Sequence, residues 1–360
     1  KHKESARPHG DHREMLERKD IDAVIIATPP QWHALMAVNA CEAGKDFYLQ
    51  KPMTLYPDEC LAVRNAVRKA KRITQIGTQI HAGDNFRRTV EWVRSGRLGK
   101  VSAVRTFNVM NQGPEGIGTA ADGDPPEGLD WNVWVGPARM RRFNPLIVKD
   151  AYNHSSFLDY GGGWTPAMAG HIVDLPYWAL ELGAPLATSC SGGRYVLRDA
   201  GNIPDTQEAV WQYPDVTMTW SMSLANSYGF DFQREGGITR RLGIYFHGVN
   251  GTLYADYDTH KVVPEGDRMK DLEPPPKSIP ASPGHEREWL DGVKSRVEPS
   301  CSVAYHWKID LAIALAGLAF RLGRSVRFDP AAEKIAGDPE AARLARPVYR
   351  DPWKFPERYV

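Results

Sequence analysis

Two side chains stand where they could do chemistry, and their neighbours decide which chemistry. Lys51 follows the apolar stretch Phe47-Tyr48-Leu49 and precedes Pro52. A short apolar run that stops at a turn reads as a buried parallel strand, and its C-terminal end is the edge at which open α/β sheets hold ligands. An ammonium there can steady a developing oxyanion; the alternative is a solvated lysine before a helix-starting proline. Gln50 beside it is a neutral hydrogen-bonding group. His171 is the second candidate, because an imidazole with a pKa near 6.5 accepts a proton at neutral pH without much tuning. Asp174, three positions on, shares a helix face with it and could orient it, or could be a plain helix-surface carboxylate. His81, His154 and His285 are weaker candidates, with a surface role the alternative for His285. No His-Glu-x-x-His or similar spacing occurs, so no catalytic metal is expected. Cys41, Cys60, Cys190 and Cys301 are far apart and form no Cys-x-x-Cys pair, which points to neither zinc nor redox chemistry.

These groups need elements to hold them. Asp22 to Thr28 is an apolar, β-branched run ended by Pro29-Pro30, and a helix from Trp32 to Ala43 follows, with Gly44 as its stop. Strands at 47–49 and 72–77 alternate with helices at 58–70 and 85–95, while Asp11 to Arg18 reads as a lone earlier helix. Strand and helix alternating with short connections predict a doubly wound parallel sheet. After Gly99 the pattern changes. Strands at 101–108, 209–213, 216–224, 242–248 and 251–256 alternate apolar and polar residues, with a hairpin-like link at Tyr213 to Val216, so this sheet is expected to be mostly antiparallel and open on one face. A proline-heavy loop spans Pro264 to Pro283. Helices are expected at 286–296 and 306–322, the second with an apolar stripe through Ile309, Ile313, Ala316 and Phe320. The fold class is thus α/β plus α+β, with a first domain over 1–99 and a second over 100–360.

Composition narrows the partners. Lysine plus arginine number 45 against 44 acidic residues, a formal net charge of +1, which gives no electrostatic case for nucleic acid or an anionic membrane surface. No apolar run approaching the roughly 20 residues of a membrane helix is expected, so no membrane is expected. No signal peptide is visible, and the compartment stays open between cytoplasm and periplasm.

Several stretches, in order over nearly the whole chain, resemble the Gfo/Idh/MocA oxidoreductases, especially those around glucose–fructose oxidoreductase. They are Asp22 to Pro29 with Trp32-His33, then Gln50-Lys51-Pro52, then Gly77-Thr78-Gln79 with Arg87-Arg88 and Ser95 to Val101. Leu129 to Ala138 follows, then Asp159 to Gly163 leading to Gly170-His171 and Asp174. Gly323-Arg324, Phe328-Asp329-Pro330 and Tyr349 to Trp353 complete the series.

The resemblance implies a Rossmann-type first domain binding NAD or NADP, a carbohydrate substrate, and a homo-oligomer formed through the C-terminal sheet. It implies that Lys51 and His171 are catalytic. Ala27, Thr28, Pro29, His33, Gln50, Lys51, Gln79 and Trp131 would face the cofactor, and Asp174 and His285 the substrate. Some of the eleven tryptophans and fourteen tyrosines could then stack on sugar rings. Two positions depart from the family pattern. Gln50 replaces a glutamate, which removes a negative charge beside Lys51 and lowers its pKa slightly. Ala167 stands where an aspartate usually lies one turn before His171. No Gly-x-Gly-x-x-Gly opens the chain, so the front strand and glycine-rich turn of the dinucleotide domain are expected to be missing, leaving weak cofactor binding and an exposed sheet edge.

Overall fold

In the computed structural model, residues 7–227, 241–269 and 272–360 are described. The opening Lys1-His2-Lys3 and residues 270 and 271 of the proline-rich loop lie outside that set.

The first sheet has three parallel strands in the order β1-β2-β3: Ala23–Ile26, Asp46–Leu49 and Thr74–Ile76. β1 pairs with β2 and β2 with β3 in register, Ala23 beside Asp46 and Phe47 beside Thr74. Helix α1 (His12–Leu16) precedes β1, α2 (His33–Glu42) joins β1 to β2, and α3 (Pro57–Ala70) joins β2 to β3. α3 starts cleanly because Glu59 reaches back to accept from the backbone N–H groups of Leu55 and Tyr56. Among the described residues β1 pairs only with β2, and Ile25 is 66% exposed. The strand expected to be buried throughout is therefore shorter and alternates, with Val24 and Ile26 buried and Ile25 exposed.

Helix α4 (Asp84–Arg94) leads into β4 (Val101–Val109). After the short helices α5 (Trp131–Val135) and α6 (Leu158–Gly161), α7 (Trp164–Leu180) crosses the second sheet. Then come β5 (Ala187–Gly193), β6 (Thr206–Gln212), β7 (Thr217–Ser223), β8 (Leu242–Gly248), β9 (Gly251–Ala255) and β10 (His260–Pro264). Helices α8 (His285–Ser295) and α9 (Val303–Leu322), strands β11 (Val326–Asp329) and β12 (Lys334–Ile335), and α10 (Pro339–Leu344) complete the chain. The nine strands run in the order β10-β9-β8-β4-β7-β6-β5-β11-β12. Every pairing is antiparallel except β4 with β7. One face is buried under α7 and α9, where Trp211 donates to the carbonyl of Ala312 and Trp220 to the hydroxyl of Thr165.

α9 departs from expectation. It is buried almost all round rather than along a stripe, since it packs against α3, α7 and β5 together; Phe320 is only half-buried. Its 20 residues, with a mean hydropathy of 1.3, are long and apolar enough to cross a membrane, which corrects the sequence expectation. Two-thirds of that window (67%) is buried inside the protein, so the apolarity is that of a core helix.

Candidate active site

The C-terminal ends of β1, β2 and β3 form one edge facing α7. At the β1 end, Ala27 is exposed and Thr28 and Pro29 are half-buried. His33, fully buried at the start of α2, brings its two ring nitrogens to the carbonyls of Thr28 (2.7 Å) and Pro52 (2.6 Å). It ties the turn after β1 to the turn after β2. Burial pushes its pKa down, and a neutral ring has one N–H to share between those carbonyls. Gln50 Oε1 accepts from the backbone N–H of Lys51 at 3.1 Å. A Cβ at Gly77, opposite, would stand 2.9 Å from Gln50 Oε1, so a side chain there would displace the Gln50 amide.

Lys51 itself turns toward α7, where its Nζ donates to the carbonyl of Ala167 at 2.9 Å. Burial lowers its pKa. His171, one turn further along α7, has its Nδ1 2.9 Å from the Tyr257 hydroxyl. Its pKa is pushed down to about 3, chiefly by burial and then by the charges of Lys51 and His306, with Asp174 opposing. His154 is pushed down to about 4 by burial, His33 and Lys51. Burial, helped by the Lys51 charge, thus disfavours the protonated forms of His33, His154 and His171.

Asp174 and His285, expected on the substrate side, are instead buried and bonded within the protein. Asp174 is 0% exposed. Its Oδ1 accepts from His81 Nε2 (3.0 Å) and the Tyr305 hydroxyl (2.5 Å), so it does not orient His171. Burial raises its pKa, but His81 and Tyr305 outweigh that and leave it lowered. His285 heads α8, donates from Nε2 to the Ile76 carbonyl and accepts at Nδ1 from Gln75, both at 3.0 Å. The reason is general: a buried polar group needs partners, and these found them on the core side. His81, Asp174 and Cys301 place ligand-type atoms within 4.8 Å of one another, a grouping that local spacing could not reveal.

Trp131 lies in a satellite core with Phe143, Phe157 and Tyr160. It stacks on Trp134 at 4.8 Å, and Trp134, not Trp131, lines a cavity of about 400 Å³ beside Thr28, Pro29, Trp32, His12 and Trp353. The Trp32 indole pins this segment by donating to the carbonyls of Val133 and Trp134. Gln79 is exposed just beyond β3. Sequence reasoning missed Tyr257, Trp134, His306 and Asp310, none of which carries a local signal.

A three-stranded parallel sheet whose strand ends meet a large, open, mostly antiparallel sheet defines a two-part α/β oxidoreductase architecture. Residues 100–355 match the C-terminal alpha/beta domain of the Gfo/Idh/MocA oxidoreductase family, and residues 2–78 match its NAD-binding Rossmann fold. The chain belongs to that family. An alpha-N-acetylgalactosaminidase from Shewanella oneidensis and a glycosyl hydrolase family 109 protein from Shewanella pealeana are each 32% identical over 90 residues, 25% of this chain and 20% of theirs. The chain therefore spans about a fifth of the length of the curated relatives it matches. Among solved structures, the WlbA dehydrogenase from Bordetella pertussis, in complex with NADH and UDP-GlcNAcA, shares the fold with a TM-score of 0.64 at 16% identity, over 90% of this chain and 84% of that one. A levoglucosan dehydrogenase in complex with NADH and levoglucosan has a TM-score of 0.57 at 16% identity, over 89% and 83%.

Proposed function

We propose that this chain acts in an NAD(P)-dependent oxidoreductase that removes a hydride from a secondary hydroxyl carbon of a sugar, cyclitol or glycoside. The observation that carries this reading is Lys51 Nζ held on the Ala167 carbonyl, one turn from a neutral His171. When bound, the dinucleotide supplies the hydride acceptor. The strand ends suit its nicotinamide end, with Ala27, Thr28, Pro29, Gln50 and Gln79 available to it. They do not supply a diphosphate site: among the described residues no glycine-rich turn opens a helix at this edge. α1 is capped by Asp11, whose carboxylate already accepts from the N–H of Arg13, and that charge opposes an anion.

Lys51 has two N–H groups left after Ala167 takes one, and directs them at the substrate oxygen as negative charge builds there. His171, neutral and fixed through Nδ1 by Tyr257, offers Nε2 to the hydroxyl proton. The open face of the nine-stranded sheet is the surface through which we propose that copies associate, to be checked by sedimentation velocity.

A second reading is favoured by the relatives named as glycosidases: a redox-neutral, NAD-dependent glycoside hydrolase. The test is nicotinamide binding by calorimetry for this chain and for the whole gene product, followed by turnover. Net NADH formation from a free sugar supports the dehydrogenase; aglycone release without net NADH supports the hydrolase. No binding by either protein removes both and leaves a non-catalytic sugar-binding role.

A further inference from the structure

Behind Lys51 and His171 lies a buried polar chain that the proposed chemistry leaves unused. His306 and Asp310 stand one turn apart on α9, and His306 Nδ1 donates to Asp310 Oδ2 at 2.5 Å. Asp310 Oδ1 accepts from the backbone N–H of Met53 at 2.9 Å, two residues past Lys51. On the other side, His306 Nε2 meets the Thr78 hydroxyl at 3.0 Å, just beyond the end of β3. Gly170, the residue before His171, lies against the same groups. A Cβ there would stand 3.4 Å from Thr78 Cγ2 and 4.0 Å from His306 Cε1.

One dyad therefore touches the turn that carries Lys51, the end of β3 and the turn of α7 that carries His171. With Nδ1 donating to Asp310, the Nε2 of that tautomer accepts from the Thr78 hydroxyl. A threonine, histidine and aspartate in line resemble a nucleophilic triad. Thr78 is 0% exposed and His306 1%, however, so no substrate reaches them and the arrangement can only position. A buried His–carboxylate pair is rarely the most stable way to fill a core, and this one sits under the reacting edge of a chain that has Ala167 in place of a carboxylate.

We propose that His306 and Asp310 form the positioning dyad of this site, holding the Lys51 turn and α7 in register and so keeping His171 in its place beside Tyr257. The groups facing His171 are Lys51 and Tyr257 from the two flanking segments, His306 from α9 and Asp174 from its own helix.

The test uses the intact chain. Histidine-selective NMR titration, assigned with His171→Asn, compares the parent with His306→Gln and Thr78→Val. In His306→Gln Asp310 is left as a carboxylate without its partner and α7 loses its register; both effects raise the His171 midpoint, by about one pH unit or more. Thr78→Val keeps the charges, fills the same space and breaks the register bond. It lowers kcat about tenfold with KM for the dinucleotide near the parent value. A folded His306→Gln whose His171 midpoint is unmoved overturns the dyad's hold on His171, and a Thr78→Val variant with parental kcat and pH profile overturns its positioning role. If His306→Gln does not fold, Thr78→Val decides. The kinetic arm rests on the oxidoreductase reading; if the parent turns over no carbohydrate, that reading fails while the titration still judges the dyad.

Discussion

Lys51 Nζ donates to the carbonyl of Ala167 at 2.9 Å, fastening the end of β2 to the first half of α7 across 116 positions of sequence. A mid-helix carbonyl has a second lone pair beyond its helical bond, so Lys51 anchors there without breaking α7. Lys51→Met keeps the stem and removes the charge and its three donors. Turnover is expected to fall by about 10² to 10⁴, with the thermal midpoint within a few degrees of the parent; steady-state kinetics and calorimetry check both.

Position 167 is 5% exposed and adjoins the Lys51 ammonium. Ala167→Asp places a carboxylate there, one turn before His171. Opposite charge favours the protonated form of both neighbours, so the acid limb of the pH–rate profile moves to higher pH by about one unit or more. A profile identical to the parent's contradicts the placement of Lys51 and His171 around this position.

The buried imidazoles predict the acid behaviour of the fold. His171 at about 3 and His154 at about 4 lie below the ordinary 6.5. Between those values and 6.5 the unfolded chain binds protons that the folded one refuses, so stability falls as pH drops through that window. The loss expected in the thermal midpoint from pH 7 to pH 4.5 is on the order of 10 °C. His171→Asn reduces the slope, which calorimetry at a series of pH values measures.

The His81, Asp174 and Cys301 group is expected to work without metal. Asp174 Oδ1 already accepts two hydrogen bonds, and the Cys301 thiol, whose pKa burial pushes well up, donates to the Thr78 carbonyl at 3.6 Å. Dialysis against a chelator leaves the thermal midpoint unchanged, and elemental analysis of the purified protein finds no stoichiometric metal. Asp174→Asn, which removes the charge opposite His81, costs about 3–5 kcal/mol by urea unfolding.

The alternating strands and helices from 22 to 95 were legible because each is a local pattern: apolar runs, a glycine stop after Ala43, a proline at the start of α3. Lys51 was legible too, since a strand end is a local event with a general consequence. The alternation in β6 and β7 marked their buried faces correctly, Trp211 and Trp220 included.

Other features had no local trace. α9 shows no clean stripe because three elements bury it from different sides, and periodicity reports only a helix with one wet face. Asp174 and His171 share a helix, yet one turns to His81 in the core and the other to Tyr257, 86 positions away. His306 reaches Thr78 across 228 positions. The sequence by itself determined which elements form and which lysine stands at the end of β2, because both follow from residue type and near neighbours. Only the tertiary structure decided that this lysine meets the Ala167 carbonyl, that His171 meets Tyr257 and that His306 and Asp310 stand behind them, because a buried polar side chain points to whatever partner long-range packing brings within about 3 Å.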